Sequence, residues 1–255
     1  MILTDTHTHL YYERDAEKRH ALMRRCFDEK IERLFLPNVD SESIAMVNEL
    51  VSEYPEHCFA MLGLHPCDVK ENFQSELALI RQAIDGRRIY AIGEIGIDLY
   101  WDKSTLDIQK EAFRTQISWA KSLNLPIVIH CRDAFQEVYD LLLSVKDQEL
   151  RGIFHCFTGT KEQADLMVDL GFYLGIGGVV TYKNSGLDKV VAQLDLKDIV
   201  LETDSPYLTP APFRGKPNES SYLKYVAQKV ADIKGLSIEE VAAITTENSK
   251  NIFGV

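Results

Sequence analysis

Short runs dense in Ile, Leu, Val and Phe recur along the chain, separated by longer stretches whose apolar residues fall at helical spacing. Eight runs read as strands: Met1–His7, Arg33–Val39, Cys58–Leu64, Ile89–Ile95, Pro126–His130, Gly152–His155, Phe172–Ile176 and Ile199–Thr203. Their near-continuous hydrophobicity is what strands buried on both faces require. Between them, Met23, Phe27 and Ile31 recur every four residues. Phe113, Ile117 and Ala120 likewise share one face of a helix. Ser104-x-x-Asp107, Thr160-x-x-Gln163 and Ser237-x-x-Glu240 signal helix starts, where a hydroxyl can accept a free backbone N–H. Gly86 and Gly171 follow helical patterns, as left-handed caps do.

Eight strands alternating with helices in 255 residues predict an α/β protein with a (β/α)8 TIM barrel. An open doubly wound sheet is the second architecture, but its G-x-G-x-x-G signal is missing after the first strand. Gly175-x-Gly177-Gly178 lacks that spacing and reads as a close-packed turn. No linker or low-complexity tract divides the chain, so residues 1–255 are expected to form a single domain.

Composition narrows the function classes. Apolar residues are 45% and charged residues 26% of the chain, ordinary for a globular protein. No apolar run is long enough to span a bilayer, and the acidic N-terminus is no signal peptide. Against 28 Lys and Arg stand 39 Asp and Glu, a net charge of −11. That balance disfavours sequence-blind adhesion to duplex DNA or anionic membrane. Five cysteines without a CxxC pair read as free, mostly buried thiols in a reducing compartment, so a cytoplasmic protein is expected.

In a TIM barrel, chemistry collects where the strands end. Five of the seven histidines, His7, His9, His65, His130 and His155, fall at or just past a predicted strand end. His20 and His57 fall in a helical pattern and a loop, where solvated positions are expected. His7 and His9 are two apart and so share a face. Glu94 lies within the apolar run Ala91–Ile97, where a buried carboxylate needs a cation or a proton. Asp204 ends the last run. His7, His9, Glu94, His130, His155 and Asp204 thus make a nitrogen and oxygen donor set suited to Zn, Mn, Fe or Co, and less well to Mg. Six ligands exceed a structural zinc site, and a glutamate with two oxygens can bridge two ions.

The runs Asp5-Thr6-His7-Thr8-His9-Leu10, Gly63-Leu64-His65-Pro66, Gly93-Glu94-Ile95-Gly96-Ile97-Asp98, His130-Cys131-Arg132-Asp133, His155-Cys156-Phe157-Thr158-Gly159 and Glu202-Thr203-Asp204-Ser205-Pro206-Tyr207-Leu208 resemble the TatD family of metal-dependent deoxyribonucleases. The resemblance spans nearly the whole chain. It implies two divalent metal ions (Mg, Zn or Mn), one on His7, His9, Glu94 and Asp204, the other on Glu94, His130 and His155. It implies phosphodiester cleavage by a metal-activated water, with Glu94 and Asp204 as catalytic residues.

The expected substrate is DNA, single-stranded or at frayed ends, with His65 and Arg132 contacting phosphate. Arg132 could instead pair with Asp133. Tyr100 and Trp101 could stack on a base or simply pack a loop, and Arg214, Lys216 and Asn218 could line a groove. No membrane and no obligate protein partner is expected. A small-molecule amidohydrolase or lactonase on the same barrel is the alternative enzyme, and a non-catalytic metal-binding protein is the alternative class.

Overall fold

The computed structural model describes residues 1–255. Eight strands are present: β1 (Leu3–Asp5), β2 (Ile31–Pro37), β3 (Cys58–Met61), β4 (Ile92–Asp98), β5 (Ile127–Arg132), β6 (Gly152–Phe154), β7 (Phe172–Ile176) and β8 (Ile199–Leu201). Nine α-helices alternate with or follow them: α1 (Ala16–Asp28), α2 (Ile44–Glu53), α3 (Phe73–Ile84), α4 (Leu106–Leu123), α5 (Phe135–Val145), α6 (Lys161–Asp169), α7 (Leu187–Gln193), α8 (Leu223–Lys234) and α9 (Ile238–Phe253).

β1 to β3 pair in parallel in chain order, and so do β4 to β8. Two joins close these sheets into a (β/α)8 barrel. Leu62 bridges Ile92 between β3 and β4, and Thr8 bridges Ser205 beyond β1 and β8. At the second join Thr6 N–H donates to Leu201 O at 3.0 Å and Asp204 N–H donates to His7 O at 2.9 Å.

The core has two parts. Phe35, Phe59, Met61, Ala91, Val128, Ile153 and Val200 fill the barrel with Ile252 and Phe253 from α9. The rings of Phe35 and Phe253 stack with centroids 3.8 Å apart. Thr246 of α9 donates to the carbonyl of Ile2, just ahead of β1, so this helix closes the end where strands begin. A larger apolar layer lies between strands and helices, and Phe113, Ile117 and Ala120 face it from α4 as their spacing predicted. No helix is long and apolar enough to cross a membrane.

Several boundaries differ from the sequence reading. Ile31 opens β2 instead of continuing the first helix; α1 stops at Asp28, and Lys30 turns the chain at φ 64°. Ser104 lies in a short 3-10 turn capped by Asp102, and α4 begins after it without a side-chain cap. Thr160 and Ser237 do open α6 and α9 with complete capping boxes. β4 starts three residues later than expected, and its register against β5 shifts between Ile92 and Ile95. Glu94 therefore sits inside the strand, not near its end. β1 and β8 are shorter than predicted, so His7, His9 and Asp204 stand on the turns that follow them.

Candidate active site

The turns after β1 and β8 are tied together before any ligand is considered. Asp5, at the end of β1, accepts from Thr203 N–H at 3.0 Å and Thr203 Oγ1 at 2.6 Å. The same carboxylate accepts from His7 N–H at 3.3 Å. Asn218 Nδ2 donates to the carbonyls of Thr203 and Tyr207 from below the loop. It is buried there, so it braces the loop rather than lining a groove. Asp204 itself has a left-handed backbone, φ 53°. These contacts bring residues nearly two hundred positions apart into one turn-on-turn arrangement.

All six predicted metal ligands meet here. His7 Nε2 lies 3.1 Å from Glu94 Oε2, 3.3 Å from His9 Nε2 and 3.8 Å from Asp204 Oδ1. His9 Nε2 lies 3.5 Å from Asp204 Oδ1. The other oxygen of Glu94 faces a different set: His130 Nδ1 at 2.8 Å, His155 Nε2 at 3.5 Å and His65 Nε2 at 3.6 Å. Gly96 lets β4 approach β5 at this level, since a Cβ there would stand 2.0 Å from His130 O.

Partners stand on the far side of three rings. Tyr11 Oη donates to Pro37 O at 2.7 Å, so it accepts from His9 Nδ1 at 2.8 Å and leaves the Nε2 lone pair facing Glu94 and Asp204. Asp98 Oδ2 lies 2.9 Å from His130 Nε2. Glu202, fully buried, places Oε1 3.0 Å from His155 Nδ1 and accepts Cys156 N–H at 2.6 Å. Carboxylates and a phenol behind histidines are the usual outer support of a metal site. Sequence reasoning assigned no role to Tyr11, Asp98 or Glu202. The last two stood in view as carboxylates at the ends of apolar runs, the signal that singled out Asp204.

His65 behaves differently. Its Nδ1 accepts Cys67 N–H at 3.1 Å, which puts the ring proton on Nε2. A donor therefore faces the centre, as a phosphate contact needs and a metal ligand does not. Gln116 from α4 holds Leu64 N–H at 2.7 Å, and Asn38 holds Gly63 N–H at 2.7 Å, fixing the loop that carries it. Arg132 makes no ion pair with Asp133; its guanidinium lies 3.6 Å from the centroid of Tyr100.

The electrostatics suit cations. Burial would raise the Glu94 carboxyl, but His7, His155, His65 and His130 outweigh it and hold it well below the usual range. Burial is likewise outweighed at Asp204 by His9, His155 and His7, and its carboxyl is lowered. Burial and the neighbouring charge of His155 push the His7 ring down. Burial opposes the charge on His130 too, but Asp98 and Glu94 overcome it and raise its pKa to about 8.

The residues fit divalent metal. The buried carboxylate of Glu94 and the half-buried one of Asp204 face no Lys or Arg. Two imidazole nitrogens, on His7 and His9, point at each other, and His7 and His155 stack with ring centroids 3.5 Å apart. His7 Nδ1 is buried without a hydrogen-bond partner. Groups of three donor atoms lie close enough to share an ion at His7–His9–Glu94, at His7–His155–Asp204 and at His65–Glu94–His130. This cluster opens into a cavity of about 710 Å³ lined also by Trp101, Arg132 and Tyr207.

Known proteins match this architecture. The family model described as TatD related DNase matches residues 4–254. An uncharacterized metal-dependent hydrolase of Bacillus subtilis, YabD, is 43% identical over 255 residues, with both chains fully covered. A protein of Escherichia fergusonii named 3'-5' ssDNA/RNA exonuclease TatD is 32% identical over 247 residues, 94% of each chain. The crystal structure of YJJV, a TatD homologue from Escherichia coli, superposes with a TM-score of 0.93 at 28% identity. It covers 99% of this chain and 98% of that one.

Proposed function

The chain belongs to the TatD-related DNase family of metal-dependent hydrolases, and from that premise we propose that it hydrolyses phosphodiester bonds of DNA at single-stranded or frayed ends. The observation that carries the proposal is the division of labour on Glu94. Oε2 faces His7 and His9, while Oε1 faces His130 and His155. A carboxylate shared in this way suits two divalent ions, Zn, Mn or Mg, rather than one. His7, His9, Glu94 and Asp204 would hold the first, and Glu94, His130 and His155 the second. Such ions, when bound, lower the pKa of water and draw charge from a phosphoryl oxygen.

The chain's own groups do the rest. Asp204, partly open to the cavity, accepts the proton of the attacking water at a carboxylate oxygen. His65 donates Nε2–H to a non-bridging phosphate oxygen, and Arg132 offers a planar fork to phosphate at the rim. A cavity of about 710 Å³ admits a strand end more readily than the middle of a duplex. The E. fergusonii relative, named as a 3'-5' ssDNA/RNA exonuclease, supports the same choice. Residues 1–255 act as one domain in this reading.

Metal-reconstituted protein should cleave labelled single-stranded DNA, and Glu94→Ala should lose about 10³-fold or more in rate. Equal cleavage by both proteins would remove the site assignment. Hydrolysis of lactones or cyclic amides, with DNA left intact, would replace the substrate class.

A further inference from the structure

Trp101 is 73% exposed and Tyr100 52%, although both follow directly on β4, beside the buried cluster. Trp101 is the most exposed large apolar side chain in the chain, and it lines the same cavity as His130, Arg132 and Asp204. An indole beside a second exposed ring at the edge of a site offers a rigid, amphipathic contact surface.

The surroundings say what kind of group that is. Arg132 lies with its guanidinium carbon 3.6 Å from the Tyr100 centroid and 5.7 Å from that of Trp101. The two aromatic rings stand perpendicular, centroids 4.9 Å apart. Arg132 is exposed and bonds no carboxylate, so its N–H groups are free toward solvent while its face is stacked. A cation beside exposed ring faces is the arrangement that receives a base and its phosphate together. The shelf is anchored: Tyr100 N–H donates to Asp98 Oδ1 at 2.9 Å, and Asp98 is the carboxylate behind His130. The aromatic rim is thus held in fixed relation to the cluster.

A second Arg–aromatic contact on the rim differs. Arg214 lies 3.8 Å from the Tyr182 centroid, but Tyr182 is half-buried and its hydroxyl donates to Thr209 O at 3.1 Å. That contact packs a loop. The Trp101 ring is left open.

We propose that Trp101, with Tyr100 and Arg132, is a stacking subsite for one nucleobase of the incoming strand, with Arg132 on the attached phosphate. This rests on the single-strand nuclease reading above. Stacking is tolerant of base identity, because every base has a flat face. The subsite therefore sets a demand for a base, not for a sequence.

The test uses the full chain loaded with metal and 5'-labelled oligonucleotides carrying an abasic residue at the last or the next-to-last 3' position. Wild-type protein should cut the base-bearing strand with kcat/KM about tenfold above one of the abasic strands, the size of one base–aromatic stack. Trp101→Ala should bring that ratio close to one, and Trp101→Phe should restore most of it. Cleavage with no base preference in the wild type, or a preference that survives Trp101→Ala, overturns the subsite and leaves the nuclease reading intact. Failure of the wild type to cut any of the strands removes both.

Discussion

His130 Nε2 stands 2.9 Å from Asp98 Oδ2, on the side of the ring opposite Glu94. The two residues sit on neighbouring strands, β4 and β5, where Asp98 is paired with Arg132 and Gly96 with His130. Asp98 thus fixes the direction in which Nδ1 points. Asp98→Ala should weaken metal binding by about 10- to 100-fold, with Asp98→Asn in between. Isothermal titration of chelated protein with Zn or Mn gives the affinities. Wild-type affinity in Asp98→Ala would show that the ring is held by something else.

Tyr11 acts the same way on His9 by another chemistry, a phenol whose own proton is committed to Pro37 O. Tyr11→Phe keeps the ring and removes the acceptor. It leaves His9 Nδ1 and Pro37 O without that partner, at a cost of about 1–3 kcal/mol in stability. Thermal unfolding of the chelated protein measures that cost, and a weaker metal titration should accompany it. An unchanged melting curve would count against the hydrogen-bond assignment.

Gly175 is where β7 makes room for Glu202. A Cβ at this position would stand 2.3 Å from Glu202 Oε2. Gly175→Ala should therefore displace the carboxylate behind His155 and destabilise the fold by about 1–3 kcal/mol. Gly215 faces open space and gives no such clash, although its φ of 87° disfavours a side chain. Chemical denaturation of Gly175→Ala gives the magnitude, and a melt equal to wild type would contradict the packing.

Proton and metal compete for the same rings, and this fixes a sign. Burial opposes charge on His155, but Glu202 and Glu94 outweigh it and raise its pKa to about 10, while His130 reaches about 8. Both exceed the value of about 6.5 expected in the unfolded chain. The extra proton affinity therefore stabilises chelated protein fully below about pH 6.5, and that stabilisation is lost as pH rises through the folded values. The melting temperature of chelated protein should fall between about pH 7 and pH 9, while metal affinity should rise over the same window. A chelated protein whose melt does not change there would refute the coupling.

Chelation itself should lower the melting temperature of metal-loaded protein at neutral pH, because ions that bind only the folded chain stabilise it by mass action. On the proposal that two sites share Glu94, Glu94→Gln should abolish most of the difference between loaded and chelated melts. A difference of wild-type size in Glu94→Gln would break the shared-ligand account.

Much of this was legible along the chain. Runs of Ile, Leu and Val buried on both faces identify a parallel barrel because that burial is written in each residue. Histidines and carboxylates interrupting such runs single out candidate ligands, because an unpaired charge is too costly to bury without a partner. The ends of strands were less legible. Glu94 lies inside β4, and Ile31 opens a strand, because bulges and turns depend on what the neighbouring strand offers.

By itself, then, the order of residues determined the number of strands, the barrel, and the donor types that could grip a cation, all of them local properties of side-chain chemistry and spacing. Tertiary structure alone decided that Asp5 clasps Thr203, that the two oxygens of Glu94 face different histidines, that Tyr11, Asp98 and Glu202 stand behind His9, His130 and His155, and that Arg132 stacks on Tyr100 rather than pairing with Asp133. Those relations arise only when the barrel closes. Direction and distance between side chains far apart in sequence are set by strand register and closure, and no single segment contains that information.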